Sequence, residues 1–291
     1  MLSIVIPCYN ESGDLILLYN EILKSFSQVE NLEVIFVDDG SDQPISLSKF
    51  KELDQARLSN CKIIKNAENR GYGYSLKRAI LQAKNDWIGF VDSDNSYQIS
   101  DLKVLFNLAV TGDYEMVIGV RGGRFYKGSP LKIALRFLLR RLAEYMCGRR
   151  VPDINSGIRI LRKNAFLPFF RLTSNRFSFT TSLTLIAHQN LMNCLYSDVQ
   201  YNKRRGHSHV KLWRDGLTAV GQILAISTYS NPLRVGFLFS NLSMLALVLG
   251  TTLSILASSI IYLIVSMSLT MTLIMILLGL FTHSLKDWLN R

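Results

Sequence analysis

Trp87-Ile-Gly-Phe-Val-Asp-Ser-Asp94 begins as an apolar run and ends in two carboxylates one residue apart. A short apolar segment that stops at Asp and Ser has the pattern of a buried strand entering a turn. The pattern recurs along the chain. Leu2–Ile6 runs into Pro7-Cys-Tyr-Asn-Glu11, Leu32–Val37 into Asp38-Asp-Gly-Ser41, and Cys61–Ile64 toward Asn69-Arg-Gly-Tyr-Gly73; Met116–Val120 is followed by Arg121. Between these runs lie stretches with helical spacing. Leu15, Leu18, Tyr19, Ile22, Leu23 and Phe26 follow Ser12 as N-cap, and Tyr74–Ala83 and Leu102–Val110 behave alike. The alternation predicts an α/β fold with a mostly parallel, Rossmann-like sheet covered by helices. Ligands of such sheets bind outside the carboxyl ends of the strands, where these polar segments fall. A helix over about Thr181–Leu191 and a strand over about Cys194–Tyr201 complete this region.

The 291 residues include 33 Lys and Arg against 22 Asp and Glu, a formal charge of +11. Val235–Phe281 contains no charged residue over 47 positions. A bilayer core takes about 20 apolar residues per helix, so this run fits two spans and weighs against a purely soluble protein. They are placed at about Val235–Ala257 and Ser259–Phe281. Residues 121–163 hold twelve Lys and Arg, opposed only by Glu144 and Asp153. Within them Leu131–Met146 puts Lys132, Arg136 and Arg140 on one helix face, with Leu131, Leu135, Leu138, Leu142 and Tyr145 mostly on another. That arrangement suits a helix lying in a membrane interface against lipids, a solvated charged face being the plainer alternative. No nucleic-acid module accompanies the basic segment, and nucleic acid is not an expected partner.

Lys203-Arg-Arg-Gly-His-Ser-His-Val-Lys211 forms a basic loop, and Leu212–Tyr229 reads as a second juxtamembrane helix. The expected organisation is a soluble domain over residues 1–211, including an interfacial helix at about 131–147, then a juxtamembrane helix at 212–232 and a two-span region at 233–291. Lys and Arg flank both outer ends of the spans, and residues 1–10 read as a strand rather than a signal peptide. Both termini and the soluble domain are therefore expected on the cytoplasmic side of the membrane. Cys8, Cys61, Cys147 and Cys194 show neither metal-ligand nor disulfide spacing and read as buried thiols.

Asp92 and Asp94 at a strand end can share a hard cation such as Mg²⁺ or Mn²⁺, though an ordinary Asx turn uses the same residues. Asp38 and Asp39 leave a second strand at the same sheet edge, Tyr9 and Glu11 add a ring and a carboxylate, and Gly71 and Gly73 permit close backbone approach. Together these exits suit a nucleotide diphosphate with its metal. GxxxxGK[ST] is absent and GxGxxG does not follow the first strand, which weighs against kinase, ATPase and dinucleotide oxidoreductase readings.

Ile4–Glu11, Val37–Ser41, Asn69–Gly73 and Asp92–Asp94 resemble the successive motifs of family 2 glycosyltransferases with the GT-A fold. Asp153-Ile-Asn-Ser-Gly-Ile-Arg159 is similar to the D-x-x-S-G-F-R segment of the dolichyl- and polyprenyl-phosphate sugar synthases, and Arg204-Arg-Gly-His-Ser208 to their R-x-G-x-S loop. The resemblance implies inverting transfer of one sugar from a nucleotide-diphosphate sugar, with uridine favoured, to polyprenyl phosphate. It implies donor contacts at Pro7, Tyr9, Glu11, Asp39, Asn69, Gly71 and Asp92, and a metal and diphosphate site at Asp92 and Asp94. Arg121 and Arg204 match active-site arginines, and Arg136, Arg204 and Ser208 are implied contacts of the lipid phosphate. The resemblance is also compatible with a homo-tetramer. A hydroxyl acceptor, or a non-catalytic nucleotide-binding scaffold, are the alternatives. Ser96 stands where the branch often has Gln, Ile158 replaces its Phe, and His207 and His209 stand at positions often taken by Lys. The QxxRW motif of processive synthases is missing, which favours single transfer.

Overall fold

The computed structural model of the chain describes residues 1–10, 15–45, 59–122, 130–202, 212–257 and 260–289. Its seven strands are β1 (Leu2–Cys8), β2 (Leu32–Asp38), β3 (Cys61–Lys65), β4 (Trp87–Phe90), β5 (Met116–Gly122), β6 (Arg159–Arg162) and β7 (Cys194–Gln200), in the order β3-β2-β1-β4-β6-β5-β7. β1 pairs in parallel with β2 from Leu2↔Leu32 to Cys8↔Asp38, and every residue of both strands is buried. Burial on both faces is why these strands are continuous apolar runs and not alternating ones. β3 and β4 extend the parallel set, and β5 pairs in parallel with β7.

β6 runs antiparallel between β4 and β5, with Phe90↔Arg159 and Ile118↔Arg159 in register. Arg-Ile-Leu-Arg is too short and too charged at its ends to stand out as a strand in sequence, and among the described strands it is the one antiparallel member of an otherwise parallel sheet, which is mostly parallel as expected. Its direction matters for the site. The C-terminal ends of β1 to β5 and the start of β6 all reach one edge of the sheet.

One sheet face packs on α1 (Leu15–Ser25) and α3 (Ile99–Thr111) through Ile4, Phe36, Tyr19, Ile22, Leu102 and Leu105. The other packs on α2 (Tyr72–Gln82), α4 (Pro130–Cys147), α6 (Phe179–Gln189) and α7 (Leu212–Ser230). The small α5 (Lys163–Phe166) and a 3₁₀ turn follow β6. The second apolar cluster does not stop at the domain. Ile223 and Ile226 of α7 join Val235 and Phe239 of α8 (Pro232–Leu256), and Leu273, Leu277 and Leu280 of α9 (Ile261–Leu289) pack against them. Pro232–Leu256 and Ile261–Thr282 are long and apolar enough to cross a membrane, and most of their surface faces outward. α8 alone measures about 37 Å at the α-helical rise.

α4 exposes Leu131, Ile133, Phe137 and Leu138 while burying Ala143 and Met146. The Arg140 and Arg141 guanidinium carbons lie 5.7 and 5.3 Å from the Phe137 ring centre. Its C-terminus is closed by a side chain of α8. Arg234 Nη1 donates to the carbonyls of Met146 (3.0 Å) and Tyr145 (3.3 Å), and the Tyr145 hydroxyl donates to the Arg234 carbonyl at 3.3 Å. A cation on the last carbonyls of a helix also meets the negative end of its dipole. Gly148, at φ +67°, makes room for this, since a Cβ there would fall 2.4 Å from Nη1. Gly148→Ala is expected to cost about 1–3 kcal/mol through backbone strain and displacement of the guanidinium. Thermal unfolding in detergent checks this, with Arg234→Gln giving the smaller loss of the cap alone.

Candidate active site at the carboxyl edge of the sheet

Sequence places Pro7, Asp39, Asp92, Asp94 and Arg121 at the ends of four strands, and the parallel order of those strands brings them to one edge. The exits of β1 and β2 are stitched together. The Asn10 N–H donates to Ser41 Oγ (3.0 Å), Asn10 Nδ2 donates to Asp42 Oδ2 (3.0 Å), and Asn10 Oδ1 accepts from the Asp42 N–H (2.9 Å). Asp38 is a turn residue: its carboxylate accepts from the N–H groups of Ser41 (2.9 Å) and Ile45 (2.8 Å). Asp39 reaches across to the next loop. Its Oδ1 accepts from Asn66 Nδ2 (2.7 Å) and the Arg70 N–H (3.0 Å), and its Oδ2 from the Gly71 N–H (2.8 Å). Asp39 therefore fixes the Asn69-Arg-Gly segment, at whose surface Asn69 is exposed. Pro7 is buried with its carbonyl accepting from Ser93 Oγ at 3.1 Å, which ties the β1 exit to the Asp92–Asp94 turn, and Tyr9 is half-buried beside it.

Asp94 is 3% exposed, and its Oδ1 accepts from the Ser96 N–H (3.0 Å) and the Ser96 hydroxyl (2.5 Å). The Asx-turn description thus applies to one oxygen of Asp94, and Ser96 supports the carboxylate from behind. Asp92 Oδ1 accepts from the Tyr72 hydroxyl at 3.0 Å. Its Oδ2 faces Gly157, where an added Cβ would lie 2.3 Å away. The Gly157 N–H donates to the Tyr97 hydroxyl at 2.9 Å, so the loop before β6 is held against the carboxylate. Burial first, and then the Asp92 charge, push the Tyr72 phenol well above its usual range, so it stays a donor.

Arg121 meets Asp153 bidentately, Nε to Oδ2 at 2.7 Å and Nη2 to Oδ1 at 2.8 Å, with the Arg121 N–H also donating to Oδ2 at 3.2 Å. The guanidinium carbon lies 5.7 Å from the Tyr201 ring centre, and Tyr201 sits edge-on to Tyr97. Burial by itself would raise the Asp153 carboxyl, but the Arg121 charge and the hydrogen bonds outweigh it and hold the group below its usual value. A depressed folded value means stability present above the unfolded value and lost as pH falls through the folded one. The pair's contribution should thus be full above about pH 4 and decline below it. Asp153→Asn is expected to melt lower at neutral pH and to respond less to acidification below that point.

Arg159, the last residue of the Asp153 segment, is fully buried, with Nε donating to the Ser156 carbonyl (3.0 Å), Nη2 to the Ile154 carbonyl (2.9 Å) and Nη1 to Thr184 Oγ1 (2.8 Å). It shapes the loop that carries Asp153 and Gly157. Arg136 lies half-buried on α4, in a different element from the sheet-edge group. Glu11, Arg204 and Ser208, with Ser12, His207 and His209, lie outside the described residues. All four cysteines are free thiols, and burial raises those of Cys61, Cys147 and Cys194, keeping them protonated.

Tyr72, Tyr97 and Arg159 belong to the site's framework but were not singled out as site residues by sequence. Tyr72 lies inside the Asn69–Gly73 motif, yet no spacing rule connects a phenol there to a carboxylate 20 residues away.

Residues 3–170 match the family described as glycosyl transferase family 2. Among curated relatives, the chain is 25% identical over 257 residues to the low-salt glycan biosynthesis hexosyltransferase Agl6 of Haloferax volcanii, covering 86% of this chain and 59% of that protein. It is 23% identical to the dolichyl-phosphate beta-glucosyltransferase of Dictyostelium discoideum, covering 69% and 65% of the two chains. The chain thus spans about three-fifths to two-thirds of the length of these relatives. Its fold resembles that of glucosyl-3-phosphoglycerate synthase from Mycobacterium tuberculosis, solved with Mn²⁺, UDP-glucose and phosphoglyceric acid, with a TM-score of 0.58, 16% identity, and coverage of 78% of this chain and 79% of that one. The family match takes in more than half of the sequence, including the strand exits that carry Asp39, Asp92, Asp94 and Arg121, and the chain belongs to glycosyl transferase family 2.

Proposed function

We propose that this protein transfers a single sugar, with inversion, from a nucleotide-diphosphate sugar, UDP-hexose favoured, to polyprenyl phosphate at the cytoplasmic face of a membrane. The observation that carries this reading is the continuous apolar cluster joining the sheet beneath the carboxylate edge to two membrane-length helices. It holds a polar site for a soluble donor at a set position relative to the bilayer in which a lipid acceptor resides. The name of the Dictyostelium relative points to the same acceptor class.

Asp92 and Asp94 supply an all-oxygen donor set, which suits Mg²⁺ or Mn²⁺. Among the described residues no group of three His, Cys, Asp or Glu side chains converges, so donor phosphates and water would complete the coordination. When bound, such an ion neutralises charge developing on the leaving diphosphate. The rest falls to the chain. Asp39 and the backbone it fixes at Arg70 and Gly71 line the nucleoside side. Asp153 locks the Arg121 guanidinium at the end of β5, where it can meet phosphate charge without reorganising. The acceptor needs little activation, because a phosphate monoester with a second pKa of about 6 is already largely anionic at neutral pH. Positioning two anions is then the main catalytic task, and Arg136, Arg204 and Ser208 are assigned to the lipid phosphate. Exposed Leu131, Ile133, Phe137 and Leu138 on α4, with its arginines, would rest in the interface.

Detergent-purified protein given polyprenyl phosphate, divalent metal and a panel of UDP- and GDP-sugars should form a sugar lipid with one donor class. If cooperatively folding protein yields no product with any donor, the proposal is wrong. If product forms only on a lipid hydroxyl, the acceptor assignment is wrong.

A further inference from the structure

We infer that Tyr72 is a positioning residue that fixes the plane of the Asp92 carboxylate for metal binding, held in place by Asp39 through the backbone of Arg70 and Gly71. The inference rests on the reading of Asp92 as a metal ligand. Asp92 is gripped on two sides: its Oδ1 takes the Tyr72 hydroxyl at 3.0 Å, and its Oδ2 lies against the backbone at Gly157. A carboxylate so held cannot rotate freely about its terminal bond, and the direction of its lone pairs is set before an ion arrives. Tyr72 is in turn fixed on both its backbone and its ring. It is the first residue of α2, directly after Gly71, whose N–H is bound by Asp39 Oδ2 at 2.8 Å. Its ring stacks on Phe177 with centres 5.8 Å apart and planes 20° from parallel.

The same short segment therefore touches Asp39, on the nucleoside side, and Asp92, on the metal side. Hydrogen-bond partners of ligating carboxylates orient them, and losing one typically weakens metal binding by about 10- to 100-fold. Phenylalanine at position 72 keeps the ring and its stacking and deletes only the hydroxyl.

The test is a Mn²⁺ titration of the full-length protein in detergent at fixed UDP. The paramagnetic signal of free Mn²⁺ is read against a protein-free control with the same UDP. Tyr72→Phe is expected to raise the Mn²⁺ midpoint about 10- to 100-fold. Its metal-free melting temperature should fall only by the cost of one hydrogen bond, and its transfer rate at saturating Mn²⁺ should return to within a few fold of wild type. Phe177→Leu, which removes the stacked ring and leaves the hydroxyl, should shift the midpoint in the same direction by less, and it serves alone if Tyr72→Phe fails to fold. An unchanged or lowered midpoint in the folded variant, with Asp92→Asn abolishing uptake, overturns the role of Tyr72 and leaves the metal reading standing. No uptake by the wild-type protein overturns both.

Discussion

Asp94→Asn should leave a folded protein whose sugar transfer is slowed by roughly 10²- to 10³-fold, the range seen when one preorganised electrostatic contact to a developing charge is removed. The substitution is nearly isosteric. Asparagine keeps an oxygen that can accept from the Ser96 N–H and hydroxyl, so the turn after β4 should survive. What disappears is one negative charge and one anionic oxygen at a site proposed to hold a divalent ion against the donor diphosphate. Asp92→Asn should behave alike, its amide oxygen still able to accept from Tyr72. The measurements are transfer rate against metal concentration and the thermal stabilisation given by UDP with and without Mn²⁺, which follows ligand affinity. Wild-type rates in either variant would remove the Asp92–Asp94 pair from the mechanism.

Arg159→Met should destabilise the protein by about 2–4 kcal/mol and lower transfer as well, although Arg159 is shielded from any substrate. Two effects oppose each other. Removing a fully buried cation whose described partners are all neutral relieves a desolvation cost. It also strands the carbonyls of Ile154 and Ser156, at about 1–3 kcal/mol for each buried acceptor left unpaired. The second effect should win because both carbonyls lie in the short loop between Asp153 and Gly157, which cannot turn them to water without moving the Arg121 partner and the backbone that faces Asp92. Arg159→Lys should recover little, since an ammonium is a point donor and cannot span acceptors held by a planar fork. Unfolding midpoints of the three proteins, alongside their transfer rates, check the order wild type, Lys, Met.

The parts of this protein legible in its sequence are those whose cause lies among neighbouring residues. Val34–Val37 and Ile88–Val91 read as strands because a strand buried on both faces is apolar throughout. Asp39, Asp92 and Asp94 read as neighbours on one sheet edge because polar groups right after such strands must emerge at the carboxyl edge. The two membrane-length helices were legible for the same reason, a long uncharged run: α8 falls on it with a shift of a few residues, while α9 continues past it through Lys286 and Asp287 to Leu289.

Tertiary structure decided the pairings. β6 hides as a strand because it is four residues bounded by arginines, and only the slot between β4 and β5 gives it partners on both sides. Arg159 looks like one more cation in a basic stretch, and its burial depends on carbonyls that the loop turns inward. Arg234 reads as a flank of the first span, yet it closes α4 across 88 residues of sequence. Asp153 selects Arg121 from twelve nearby cations, and Tyr72 reaches Asp92, because the sheet order places those backbones within side-chain reach. Hydrophobic runs and turn chemistry are properties of adjacent residues, whereas a hydrogen bond between distant ones exists only once packing has fixed both ends.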